Sequence, residues 1–168
     1  MSGSTTNAFT QGMAMLKSSK AKATIKKATV SHQLAMEEQF KHDSAFLDYD
    51  NLHVGNAFSQ NISDYREQNS LKPQEWGPSF IRNPADGKFY CGVRYNKRVF
   101  YFDEVTTPTL VDVLASGIPV FIVGNVSWLP TSTSNIVDAK SFYDQLKVDA
   151  LDGNSKLCKE WFQIISKR

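Results

Sequence analysis

The sequence predicts an α+β fold: a small antiparallel β-sheet or partly open barrel over about residues 79–137, flanked by N-terminal and C-terminal helices. Three observations predict it. Residues 88–105, KFYCGVRYNKRVFYFDEV, read as a β-hairpin. Two amphipathic helical stretches precede it, and two more close the chain.

The hairpin follows from composition. The runs Phe89–Tyr95 and Val99–Asp103 are rich in aromatic and β-branched residues, which suit a pleated, half-buried surface. Asn96–Lys97–Arg98 is the polar connection, and Asn tolerates the tight backbone of a hairpin loop. Side chains alternate along a strand, so each run has two faces. Phe89, Cys91, Val93, Phe100 and Phe102 are expected inward. Tyr90, Arg94 and Tyr101 are expected outward, with Lys88, Lys97 and Arg98 beside them.

The flanking elements follow from periodicity. Met36, Phe40, Asp43 and Leu47 recur at helical spacing and predict a helix over Ser31–Asp48, with Leu34 and Phe46 widening its apolar face and Thr29 or Ser31 as its cap. Phe58, Ile62 and Tyr65 predict a second helix over Ala57–Gln68. Trp76–Gly77–Pro78 marks a turn before a short strand at Ser79–Arg82, and Asn83–Gly87 reverses the chain. Thr109–Ser116 is a short helix, and the apolar run Ile118–Gly124 a strand covered on both sides. A weak strand falls near Ser134–Val137. Asp138–Leu151 places Phe142, Tyr143 and Leu146 together, and Ser155–Lys167 does the same for Leu157, Trp161, Ile164 and Ile165. The order from Ser79 onward is also that of a five-stranded Greek-key barrel of the oligonucleotide-binding kind, whose second and third strands form the ligand face.

The 168 residues suffice for one well-buried domain, and 41% hydrophobic with 12% aromatic residues argues against disorder. Residues 1–28 are expected to form a flexible basic arm and 29–168 a single α+β domain. No apolar run is long enough to span a bilayer, and no secretory signal is visible, so no membrane partner is expected and the setting is intracellular, in a host cell or a virion. Cys91 and Cys158 are expected as buried, reduced thiols, and the sequons at Asn61 and Asn125 as chance matches.

Charge is segregated along the chain. Residues 1–36 carry Lys17, Lys20, Lys22, Lys26 and Lys27 and no acid, whereas residues 37–70 carry seven acids against Lys41 and Arg66. Such asymmetry bears on partners. The leading expectation is a non-catalytic protein that binds single-stranded nucleic acid. Lys17, Lys20, Lys22, Lys26 and Lys27 of the arm would neutralise phosphates, together with Lys88, Arg94, Lys97 and Arg98, while Tyr90 and Tyr101 stack on bases. An alternative is a structural or adaptor subunit of a homo-oligomer or larger assembly, viral or cellular, in which the arm grips the acidic stretch of a neighbouring chain. A second alternative is a metal-dependent hydrolase using Asp86, Asp103 and Glu104. The chain has no phosphate loop, nucleophile elbow or zinc-spaced His–Glu pair, and no cofactor is expected. His53 is the one isolated general-base candidate.

Overall fold

The protein is described by a computed structural model, which covers residues 28–84, 86–101, 120–122 and 132–166, with 120–122 and 132 described by backbone alone. Its elements run α1 (Val30–Leu52), α2 (Phe58–Gln68), β1 (Ile81–Arg82), β2 (Phe89–Tyr90), β3 (Gly92–Tyr95), β4 (Arg98–Tyr101), β5 (Val120–Ile122), β6 (Ser132–Thr133) and α3 (Ile136–Leu151). A π-helical turn, Leu157–Trp161, then leads into α4 (Phe162–Ser166). Helix and sheet are mixed, as an α+β fold requires. No helix among the described residues is long and apolar enough to cross a membrane.

Helix α1 begins where Thr29, in extended backbone, accepts a hydrogen bond from the His32 amide through its side chain. It buries Met36, Phe40, Asp43, Phe46 and Leu47, the expected stripe, while Leu34 stays 54% exposed and does not widen it. Helix α3 is capped by Asn135, whose side chain accepts from the Val137 amide at 2.8 Å. It runs antiparallel to α1. Ser44 donates to Asp144 at 2.6 Å, and Lys140 reaches both Ser44 (2.9 Å) and Asp48 (3.0 Å).

The strands form two ladders where one sheet or a partly open barrel was expected. One has the order β1-β2-β6, antiparallel throughout. The other has the order β3-β4-β5, with β3 and β4 antiparallel and β4 and β5 parallel. The run Phe89–Tyr95 is thus split at Cys91 and serves both ladders. The hairpin loop is Asn96–Lys97 alone, both at positive φ (53° and 62°), and Arg98 already belongs to β4. Two positive-φ residues match the right-handed twist of the flanking strands.

Gly92 permits the close approach of β3 and β4. A Cβ there would meet the Phe100 carbonyl oxygen at 2.4 Å and the Tyr101 Cα at 3.0 Å. The Tyr143 hydroxyl bridges the same residue, accepting from the Gly92 amide (3.0 Å) and donating to its carbonyl (2.9 Å).

One cluster of buried side chains joins these elements, from Met36 on α1 through Trp76, Phe80, Val93 and Phe100 to Leu146, Trp161 and Ile165. Cys91 and Cys158 are both free and buried within it. The predicted helix Thr109–Ser116 lies outside the described residues, as do Phe102 and Asn125.

A second feature ties α1, α2 and β1 together. Arg82 grips Asp50 with two hydrogen bonds, Nε to Oδ2 at 2.6 Å and Nη2 to Oδ1 at 3.0 Å. Its guanidinium also lies 5.6 Å from the centre of the Phe58 ring. Fully buried Asn61 adds Nδ2 to Asp50 Oδ1 at 2.8 Å and to the His53 carbonyl at 2.9 Å. Arg82→Ala would leave the Asp50 carboxylate buried without its counter-charge. Chemical denaturation is expected to show a loss of about 3–5 kcal/mol, the range for breaking one side of a buried pair.

Candidate functional site

The predicted stacking face does not face solvent. Tyr90 is 7% exposed, Arg94 5% and Tyr101 1%, and Val99 beside them is buried as well. The hairpin is covered on both sides. The Tyr90 hydroxyl is turned onto Asp86 Oδ2 at 2.8 Å. The loop before β1 lies over Arg94, whose Nη2 donates to the Pro73 carbonyl at 3.1 Å. Gly77 makes room for it, since a Cβ there would come within 1.9 Å of Arg94 Nη1 and 2.9 Å of Arg66 Nη2.

Of the other expected residues, Lys88 and Lys97 are exposed. Arg98 is half-buried, with its guanidinium 5.5 Å from the centre of the Phe100 ring. Lys17, Lys20, Lys22, Lys26 and Lys27 lie outside the described residues, as do Asp103 and Glu104. Asp86 is committed to its own turn: it accepts from the Lys88 amide at 2.9 Å and from Tyr90. Those bonds hold its carboxyl below the usual range. Among the described residues no three His, Cys, Asp or Glu side chains come together as a metal site. His53 Nδ1 bonds the Tyr49 carbonyl at 2.8 Å and its ring stacks on Tyr49, so this histidine is tied into the end of α1.

What the fold does assemble is a buried polar cluster around Asp43. Its Oδ1 accepts from the Ser79 amide (2.9 Å) and from Gln39 Nε2 (3.1 Å), and the Ser79 hydroxyl bonds the same carboxylate. Ser79 Oγ in turn accepts from the Arg94 amide at 2.9 Å, and Gln39 Nε2 also donates to the Gly77 carbonyl at 2.8 Å. Arg66 donates through Nε to the Trp76 carbonyl at 2.8 Å. One carboxylate thereby connects α1, the 77–79 loop and β3.

Burial dominates the electrostatics. It raises Asp43 to about 7, against the hydrogen bonds from Ser79 and Gln39 and the attraction of Arg94. Burial, then the nearby Arg66 charge, lowers Arg94, while Asp43 opposes that shift. Cys91 is pushed up to about 12 by burial, and Tyr101 and Tyr143 are raised for the same reason. Thiols and phenols so raised stay neutral at physiological pH and are poor nucleophiles.

Beside this cluster a cleft of about 390 Å³ opens between the start of α1, the 74–75 loop and the hairpin end. No family model, curated protein or solved structure matches the chain.

An Asp inside the apolar stripe of α1 was a legible sign of a buried polar partner. That its distant hydrogen-bond partner is Ser79, 36 residues further along the chain, has no local signature.

The raised Asp43 has a pH consequence. A folded-state pKa near 7, against 3.8 for an ordinary Asp, means that the folded state binds the proton more tightly. Stability therefore falls as pH rises from about 4 to about 7, and the penalty is fully present above that window. Asp43→Asn is expected to flatten this part of the profile. It would also lower stability at pH 4, because its amide would face the donors of Gln39 and Ser79. Urea midpoints measured from pH 4 to pH 8 check both.

Proposed function

We propose that the protein is a non-catalytic structural or adaptor subunit whose basic leader, residues 1–27, contacts the acidic surface of a neighbouring copy. The observation that carries this is the burial of Tyr90, Arg94 and Tyr101, which takes away the stacking surface a nucleic-acid reader needs and leaves charge as the available recognition chemistry. The charge is complementary between segments. The leader has lysines and no acids, and Glu38, Asp48 and Glu67 stand exposed on α1 and α2. Glu38 and Asp48 pair with Lys41 at 3.6 Å and with Lys140 at 3.0 Å in exposed contacts, the weak kind of ion pair that lysines of the leader could exchange with.

Electrostatic contact between an exposed basic segment and an acidic helix weakens as salt rises. Light scattering at low salt is expected to give a mass well above the 18.9 kDa of one chain. Deleting residues 2–27, or raising the salt to about ten times its starting value, is expected to return the mass to that of one chain. A full-length chain that stays monomeric at low salt would sink the assembly reading.

A second reading, binding of single-stranded nucleic acid, keeps the exposed Lys88 and Lys97, with Arg98 and the leader lysines, as a purely electrostatic contact. Fluorescence anisotropy against a single-stranded oligonucleotide would then show affinity falling about ten-fold or more between low and moderate salt. It would be insensitive to Tyr90→Phe, since that ring is turned inward. Absence of binding at low salt would eliminate this reading.

A further inference from the structure

We propose that the first part of the leader, Phe9–Leu16, docks as a short helical segment on an exposed apolar patch of its own chain. The patch lies at the end of the α1–α3 pair where the leader joins the fold. Val30 and Leu34 of α1 and Val148 and Leu151 of α3 make it, each more than half exposed. Single apolar side chains are normal on a surface, whereas a contiguous group marks a contact site.

Helical spacing brings the four together. Leu34, Lys41 and Asp48 follow at seven-residue steps, which return a helix to nearly the same side. Lys140, Asp144 and Leu151 likewise share one side of α3, at steps of four and seven. Asp48 meets Lys140 at 3.0 Å, so the two rows run along the same side of the helix pair. From that contact Leu34 lies about 21 Å along α1 and Leu151 about 16 Å along α3, in one direction because the helices are antiparallel. Val30 is one turn before Leu34, and Val148 one turn before Leu151. A further contact joins the same two ends: a Cβ on Gly153 would lie 3.7 Å from Gln33 Nε2.

Composition and reach identify the occupant. Phe9, Met13 and Leu16 recur at helical spacing, and residues 9–16, FTQGMAML, carry no charge. So short a helix does not hold in water by itself and needs a surface to form against. All five leader lysines fall within Lys17–Lys27, the connection to the fold. That connection ends at Ala28, whose amide donates to the Cys158 carbonyl at 3.2 Å. A random chain of this length spans about 20 Å on average. Leu34 lies within it, about 9 Å along α1 from Ala28. The other exposed apolar side chains among the described residues, Leu52, Val54 and Val137, stand at the far end of the pair. They are about 36 Å away and would require an almost fully stretched connection. A short tether gives an effective concentration on the order of millimolar, which favours the chain's own patch over a neighbour's at about micromolar protein. The lysines stay in the connection, available to the acidic surface of a neighbouring copy, so the docking neither needs assembly nor prevents it.

Hydrogen–deuterium exchange of the full-length protein, read by mass spectrometry on fragments covering residues 9–16, is the test. Those amides are expected to exchange about ten-fold more slowly than in the double variant Leu34→Asp, Leu151→Asp. Since the contact is apolar, the protection is expected to persist on dilution and at about ten times the starting salt. Met13→Asp, in the leader itself, is expected to abolish it as well. Unchanged protection of residues 36–47 and 139–150 checks that the fold is kept, and Met13→Asp decides should the double variant lose it. Unprotected amides over residues 9–16 in the unaltered chain would overturn the docking. Protection that survives either substitution would overturn the seating on this patch. Protection that vanishes on dilution or with added salt would assign the contact to a neighbouring copy and overturn the own-chain assignment.

Discussion

A carboxylate set into the apolar stripe of a long helix obliges the rest of the chain to bring it donors. Asp43 is fully buried, and it is served from Gln39 on its own helix and from both the amide and the hydroxyl of Ser79. Isolated charge in such a place is prohibitively expensive, so the loop and β3 are held where they are by the need to satisfy it. Arg94 then follows Ser79 into the interior. Gly77, lacking a side chain, is what lets the guanidinium lie there.

This explains why the hairpin ends up covered on both sides. An edge ribbon with one wet face would leave Arg94 in water and Asp43 without a nearby cation. With the 72–77 segment laid over it, the ribbon becomes an inner layer between loop and helices, and the rings of Tyr90 and Tyr101 pack as buried surface. Tyr90 finds Asp86, and Tyr143 reaches across to Gly92. Aromatic residues with a polar tip are suited to such positions because burial of the ring and satisfaction of the hydroxyl are separable.

Much of this was legible in the chain. The α1 stripe and the inward set Phe89, Cys91, Val93 and Phe100 follow from periodicity and are buried in the structure, and of the two cap candidates Thr29 is the one that caps α1. Alternation distinguishes two faces of a strand but does not say whether one or both are covered, so it puts Tyr90, Arg94 and Tyr101 on an outer face that the fold in fact buries. Leu34 fits the helical period yet stays exposed, since it lies on the edge of the stripe near the first turn. The break at Cys91 and the parallel pairing of β4 with β5 depend on distant segments and leave no local trace. The cleft was equally hidden, because its walls are joined only when residues 32–39 meet residues 94–97.

Asn61 carries one last implication. It heads an Asn-Ile-Ser triplet, yet its side-chain nitrogen is the atom that bonds Asp50 and the His53 carbonyl in a solvent-free corner. An oligosaccharide attached to that nitrogen has no space to occupy once α2 has docked against the end of α1. Sugar at this position and the docked helix pair are mutually exclusive, so a chain decorated there during synthesis would be barred from closing this corner of the molecule.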